Sequence, residues 1–256
     1  MQNIDDIVKN YPPKLQPFRQ YILKEYLQYK ILNIIYSSNY SSNLVFIGDT
    51  AIRIIHGSTR FSEDLDFDNV LMKEKDLETL SFLIKKELEL EGYIVETKNV
   101  YKNAFHCYIR FPGILFKQEL SGYKEEKILI QIDMEPQNYK YSPDNYLINK
   151  FGLFRYLNVA PGNLLLSQKI SACLLRKRAK GRDFFDVVYL MSSLKPDWEY
   201  LKQVLNIGNK KEMISAFRKR IKDLDMKVLA KDVKPFLFDP SQEDRVLFFD
   251  KWIMMI

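Results

Sequence analysis

Cysteine and histidine are scarce in this 256-residue chain, with two of each. Cys107 and Cys173 lie far apart in sequence, so neither a disulfide framework nor a cysteine-based zinc site is expected, and a reducing compartment fits. His56 and His106 are too few for a His-rich metal centre. No run of about 18 apolar residues occurs, which predicts no membrane span. The opening stretch MQNIDDIVKNYPPK carries acids early and has no apolar core of its own, so no secretory signal is expected there. Internal repeats and low-complexity tracts are also absent. The expectation is a soluble, cytoplasmic protein of bacterial type.

Apolar material, by contrast, is ample. Hydrophobic residues make up 46% and aromatic residues 14%, enough to bury a sizeable core, which excludes wholesale disorder. The net charge of +6 is unevenly placed. Residues 160–256 hold 19 basic and 12 acidic side chains, whereas residues 1–159 hold 20 and 21. An anion, with nucleic acid the leading candidate, is one reading of that basic C-terminal part. A solvated, lysine-rich helical surface gives the same count.

The hydrophobic patterning divides the chain in the same place. Leu15, Phe18, Ile22, Tyr26 and Tyr29 recur at helical spacing to about Ser37, with Pro17 in the first turn. Residues 44–47 read as a buried strand broken by Gly48. Thr50 to Ile55 reads as a short helix closed by Gly57, and Leu65 to Phe67 as a second strand. Lys73 to Glu91 is helical. Tyr93 to Val100 and Phe105 to Phe111 alternate like strands, with breaks at Gly92 and Lys102-Asn103. Lys127 to Glu135 alternates most cleanly, with Ile128, Ile130, Ile132 and Met134 on one face and Leu129, Gln131, Asp133 and Glu135 on the other. A looser stretch runs to Pro161-Gly162. Helical patterns then cover 163–178, with Asn163 as N-cap, and 182–192, 197–205, 210–222 and 244–254. Strands first and helices after predict an α+β protein with a boundary near residue 160, residues 1–159 forming one domain and 160–256 the other.

Chemistry concentrates in FIGDTAIRIIHGSTRFSEDLDFD, residues 46–68. On a strand Asp64 and Asp66 point the same way, while Leu65 and Phe67 turn inward. Two carboxylates side by side repel, and the usual compensation is a divalent cation, most simply Mg2+, which also takes phosphate oxygens. A strand–Gly48–helix turn offers backbone N–H groups to phosphate. Asp133, on the polar face of its own alternating strand, is the third acid, with Glu135 as its backup. An ordinary exposed strand acid is the bland alternative for Asp133.

These residues resemble the AbiEii/AbiGii toxin family of bacterial nucleotidyltransferases, within the DNA polymerase β-like superfamily. The match runs through Gly48, Asp64 and Asp66, then Asp133, Lys169 in LLLSQKISACLLR, and the segment Arg182-Asp183-Phe184-Phe185-Asp186. The resemblance implies a polymerase β-like core, a mixed sheet flanked by helices, followed by a C-terminal helical domain. It implies nucleotidyl transfer from an NTP with Mg2+ (or Mn2+) held by Asp64, Asp66 and Asp133. Catalysis would use these acids with Lys169 and Asp183. Nucleotide contacts would come from Gly48, Asp49, Thr50, Arg60, Ser62, Lys169, Arg182 and Asp186, with Arg53 nearby. An RNA acceptor, such as the 3′ end of tRNA, and an antitoxin encoded close by are further implications. One departure stands out. The family has Gly or Ser after the first Gly, and this chain has Asp49, which either caps the following helix or alters the site.

Arg176, Lys177, Arg178, Lys180 and Arg182 fall within seven residues. They suit a phosphate backbone, or else a solvated helix end. Lys169 sits among Leu165, Leu166, Ala172 and Cys173, so it needs an anionic partner or a path to water. That partner is phosphate on the family reading, and Asp183 or Asp186 on a purely structural one. Two other activities fit the same residues, nucleotidylation of a small molecule or protein and non-catalytic binding of nucleotide or RNA.

Overall fold

The computed structural model describes residues 1–102 and 104–256; of the expected break at Lys102-Asn103, Asn103 lies outside the described residues. The chain divides into two compact units, Met1–Ala51 with Ser62–Val159, and Ile52–Phe61 with Ala160–Ile256. Sequence patterning kept residues 52–61 with the strands. Their side chains instead join the second unit. Arg60 pairs with Asp186, the Phe61 ring lies 4.7 Å from that of Phe238, and Arg60 forms a β-bridge with Leu237.

The first unit is built on a seven-stranded mixed sheet in the order β3-β4-β5-β2-β1-β7-β6. Its strands are β1 (Leu44–Ile47), β2 (Leu65–Asn69), β3 (Glu96–Tyr101), β4 (Phe105–Pro112), β5 (Lys127–Pro136), β6 (Asp144–Lys150) and β7 (Leu153–Val159). β2 runs antiparallel to β1 and parallel to β5, and β7 runs parallel to β1. The helices are α1 (Ile4–Val8), α2 (Arg19–Ser37), the start of α3 (Gly48–Ile55), α4 (Glu74–Leu90) and α5 (Ile114–Lys117). α2 begins at Arg19 with Phe18 at its N-cap, so Pro17 lies ahead of the helix and not in its first turn as expected. The clean alternation of β5 is realised as expected: Ile128, Ile130, Ile132 and Met134 are buried, and Gln131 and Asp133 are half-buried on the other face. Each buried side chain of this size contributes about 1.5–3 kcal/mol.

The stretch that reads as loose, residues 136–160, holds the β6–β7 hairpin. Its two-residue turn places both Phe151 (φ 53°) and Gly152 (φ 80°) in left-handed conformation. That is the requirement of a type I′ turn, usually met by Asn-Gly, so a Phe-Gly pair hides it. Packing offsets the cost. The Phe151 ring lies 5.2 Å from Tyr26 and 5.4 Å from Tyr29, both edge-on. Next to it, Lys150 Nζ stands 4.3 Å from the centre of the Tyr11 ring and 3.4 Å from buried Glu25, which also accepts from the Tyr11 hydroxyl at 2.8 Å. A cation seated on aromatic faces and paired with a carboxylate ties the turn to α2.

The second unit carries the end of α3, then α6 (Gly162–Leu175), α7 (Gly181–Met191), α8 (Trp198–Leu205), α9 (Lys210–Ile221), α10 (Met226–Val233), α11 (Asp244–Leu247) and α12 (Phe249–Met255). Its core includes the rings of Phe184, Phe217 and Phe249, with Phe184–Phe249 at 4.9 Å and Phe217–Phe249 at 5.1 Å. Three local expectations change. α6 starts at Gly162 with Pro161 at its N-cap, so Asn163 lies inside the first turn, where its side chain accepts from Leu164 N at 2.9 Å. The single helix expected over 244–254 is interrupted at Phe248. α10 was not expected at all. Among the described residues no helix is long and apolar enough to cross a membrane.

Candidate active site

The turn from β1 into α3 fixes the first part of the site. Gly48 has φ +76°, a conformation that suits glycine. A Cβ added there would lie 2.2 Å from Asp66 Oδ2. The bare Gly48 backbone is therefore required twice, by its own torsion and by the carboxylate packed against it. α3 follows at once, presenting first-turn N–H groups that have no partners within the helix. Asp49 is in that first turn, where a negative charge is favourable to the helix dipole. This placement suits the structural reading of the departure from the family pattern.

Strand register assembles the acids. Ile47, Asp66, Asp133 and His106 are successive partners across β1, β2, β5 and β4, one row on the sheet. Asp66 and Asp133 are thereby neighbours on parallel strands. His106 Nδ1 lies 2.6 Å from Asp133 Oδ1, and Gln131 Nε2 donates to the same oxygen at 2.6 Å. Both contacts fall on Oδ1, which orients the carboxylate and leaves Oδ2 as the oxygen for a ligand. Asp64 precedes β2, and its Oδ1 accepts from the backbone N–H of Gln131 at 3.1 Å. Burial raises its carboxyl above the usual carboxylate range, and the nearby charges of Glu63 and Asp133 add to this; Lys24 and the Gln131 hydrogen bond oppose it. With Lys24, Glu63 and Gln131 it lines a cavity of about 440 Å³ within the first unit. Two rows further, Asp68 is buried, partners Glu135 across the strands and accepts from the Tyr141 hydroxyl.

The donor chemistry fits a hard divalent cation. Every candidate ligand is a carboxylate oxygen, two of them are neighbours by register, and a carboxyl held toward its protonated form by burial gains from a cation nearby. Among the described residues no three His, Cys, Asp or Glu side chains stand together as a ready-made cage. Mg2+ does not need one, because it is commonly held by one or two carboxylates together with substrate phosphates.

Several residues expected at phosphate lie elsewhere. Thr50 and Ser62 are buried. The Thr50 hydroxyl donates to the Asp64 carbonyl and is hydrogen-bonded to Ser62 Oγ at 2.8 Å, so the pair shapes the approach to β2. Arg60 is 1% exposed, with Nε and Nη2 on the two oxygens of Asp186 at 2.8 and 2.5 Å. Lys169 is 6% exposed and stands 3.1 Å from Asp183 and 3.5 Å from Asp186. Two cations and two anions thus balance inside the second unit, which is the structural alternative for Lys169. Arg182 stacks on Phe236 at 4.6 Å and Arg53 on Phe238 at 4.6 Å. Arg176, Lys177, Arg178 and Lys180 are exposed on the α6–α7 connection, with Arg176 at the C-cap of α6 and Lys180 at the N-cap of α7, as the solvated helix-end reading expects. Arg176 also reaches Asp183 at 3.4 Å.

Sequence reading missed His106, Gln131 and Asp68. Asp68 continues the alternation of Asp64 and Asp66 and was legible. His106 was not, because only the register of β4 on β5 sets it opposite Asp133.

Comparison with solved structures supports the fold. JHP933 from Helicobacter pylori superposes with a TM-score of 0.53 at 17% identity over 92% of both chains. A candidate nucleotidyltransferase from H. pylori gives 0.55 at 17% identity, over 92% of this chain and 95% of that one. At such identity the likeness speaks for the fold alone. No curated protein matches the chain. The model of the family described as nucleotidyl transferase AbiEii toxin, type IV toxin–antitoxin system, matches residues 30–248, most of the chain and both groups of residues that carry the resemblance. The chain belongs to the AbiEii family of nucleotidyltransferase toxins of type IV toxin–antitoxin systems.

Proposed function

We propose that the protein transfers a nucleoside monophosphate from an NTP to an acceptor hydroxyl on RNA, the 3′ end of tRNA being the acceptor that the family resemblance suggests. The core would then be of polymerase β-like type, and the reaction would take place in the cytoplasm, opposed by a cognate antitoxin. The observation that carries this reading is the adjacency of Asp66 and Asp133 on parallel strands beside the Gly48 turn.

Asp66, Asp133 and Asp64 would hold Mg2+ or Mn2+. When bound, such a cation supplies charge neutralisation at the triphosphate and Lewis-acid activation of the attacking oxygen. The rest is the work of the protein's own groups. Asp133 would serve either as a ligand of that cation or as general base for the acceptor hydroxyl, with His106 and Gln131 fixing its carboxylate through Oδ1. The first turn of α3 would offer its unpartnered N–H groups to phosphate oxygens. The exposed run Arg176, Lys177, Arg178 and Lys180 suits a polyanionic acceptor. Arg60, Lys169, Asp183 and Asp186 serve from inside the second unit, as its charge-matched core.

Radiolabelled NTPs incubated with total RNA and Mg2+ test this directly. Label in RNA is expected, and Asp66→Asn should abolish it with the circular dichroism spectrum unchanged. Label in protein or a small molecule would replace the acceptor assignment. Full activity in Asp66→Asn would overturn the site.

A further inference from the structure

We infer that the second unit carries its own pocket for a planar base bearing a phosphate. The inference adds a binding site to the proposed function and does not depend on which acceptor that function uses. A cavity of about 590 Å³ opens among α7, the α7–α8 connection, α9, α11 and α12, and includes none of the candidate catalytic acids. Its size is that of a small-molecule site. The chain has only two tryptophans, and both of them, Trp198 and Trp252, line it together with Tyr189.

Charge selects the class of ligand. Lys195, Lys210 and Arg245 line the cavity and no Asp or Glu side chain does. Among the described residues these three cations form no ion pair. Lys195 and Lys210 are exposed, so their ammonium groups can move to a ligand. Arg245 is more constrained. Its guanidinium lies over the rings of Phe185 at 5.2 Å and Tyr189 at 5.5 Å, and its Nη1 is buried without a hydrogen-bond acceptor. The guanidinium cannot lose its charge, so it adds a fixed positive charge to the cavity wall. Indole faces favour a flat aromatic ring, at about 1–3 kcal/mol per stacked base. An apolar, aromatic cavity whose charged side chains are all basic therefore fits a nucleotide, the planar anion that the proposed chemistry supplies. The nucleotide can be free, or it can be the terminal residue of an RNA strand.

Because both tryptophans line the cavity, emission excited at about 295 nm reports on it. Nucleoside monophosphates and short 5′-phosphorylated oligoribonucleotides are titrated in EDTA, so that binding does not require the carboxylate site. Saturable quenching is expected. Lys195→Glu combined with Lys210→Glu should weaken it at least tenfold without changing the melting temperature. Arg245→Lys, which keeps the charge and loses the planar fork, should weaken it by a smaller factor. Quenching by monophosphates assigns a free nucleotide, and quenching by oligonucleotides alone assigns an RNA end. Asp66→Asn should leave the titration unchanged while abolishing transfer, which separates failure of this site from failure of the catalytic assignment. The absence of quenching by either ligand class, or quenching indifferent to the double charge reversal, would overturn the inference.

Discussion

Arg60→Ala probes the buried charge group of the second unit most sharply. Arg60 and Asp186 are 1% and 0% exposed and share two hydrogen bonds. Removing the guanidinium leaves three ions, Lys169, Asp183 and Asp186, with a net negative charge away from water. Breaking a buried pair in this way costs about 3–5 kcal/mol, because one charge loses its partner while both remain desolvated. At about 2–4 °C per kcal/mol for a chain of this size, the melting temperature should fall by roughly 6–20 °C. Lys169→Ala should cost less, since Arg176 stands 3.4 Å from Asp183 and can take up part of the charge. Arg60→Met combined with Asp186→Leu removes the pair together, leaves Lys169 matched with Asp183, and should regain more than half of the loss. Differential scanning calorimetry of the four proteins decides. An Arg60→Ala melt within 2 °C of wild type would refute the reasoning. So would a wild-type Lys169→Ala melt accompanied by loss of the shift induced by Mg-NTP, which would return Lys169 to phosphate.

Gly48→Ala should abolish transfer and lower the melting temperature, because the new methyl would occupy the place of the Asp66 carboxylate; unchanged kcat/KM would show that the turn tolerates a side chain. Lys150→Ala should destabilise the first unit by about 1–3 kcal/mol, since buried Glu25 loses its ion pair with Lys150 and the Tyr11 ring loses the cation over it; guanidinium unfolding curves measure it. Burial pushes the Cys107 thiol up to about 12 and the Cys173 thiol well above its ordinary value. Both should therefore resist a thiol reagent at pH 8 until the protein is unfolded. Below about pH 7 each thiol is neutral whether folded or not. Above it the unfolded thiols ionise first, so stability should fall as pH rises from about 9 towards 12, and Cys107→Ala should flatten that fall.

The sequence by itself determined the local elements and the order of the chemistry. Alternation in 127–135 defined β5 and its polar face, because a strand's side-chain period is fixed by the backbone. Gly48 marked the turn, because its torsion is a local property; the spacing of Asp64 and Asp66 marked the acids, but Asp64 falls just ahead of β2, so the shared strand face expected from that spacing is not realised. Tertiary structure decided what depends on distant partners. Register across β2, β5 and β4 placed Asp66, Asp133 and His106 in one row. The Phe151-Gly152 turn became legible only once Tyr26 and Tyr29 surrounded it. Burial gave Thr50, Ser62, Arg60 and Lys169 the internal partners that their sequence positions do not reveal. A cation in sequence shows its charge but not its neighbour, and the desolvation that makes a buried charge need that neighbour exists only after the chain has folded.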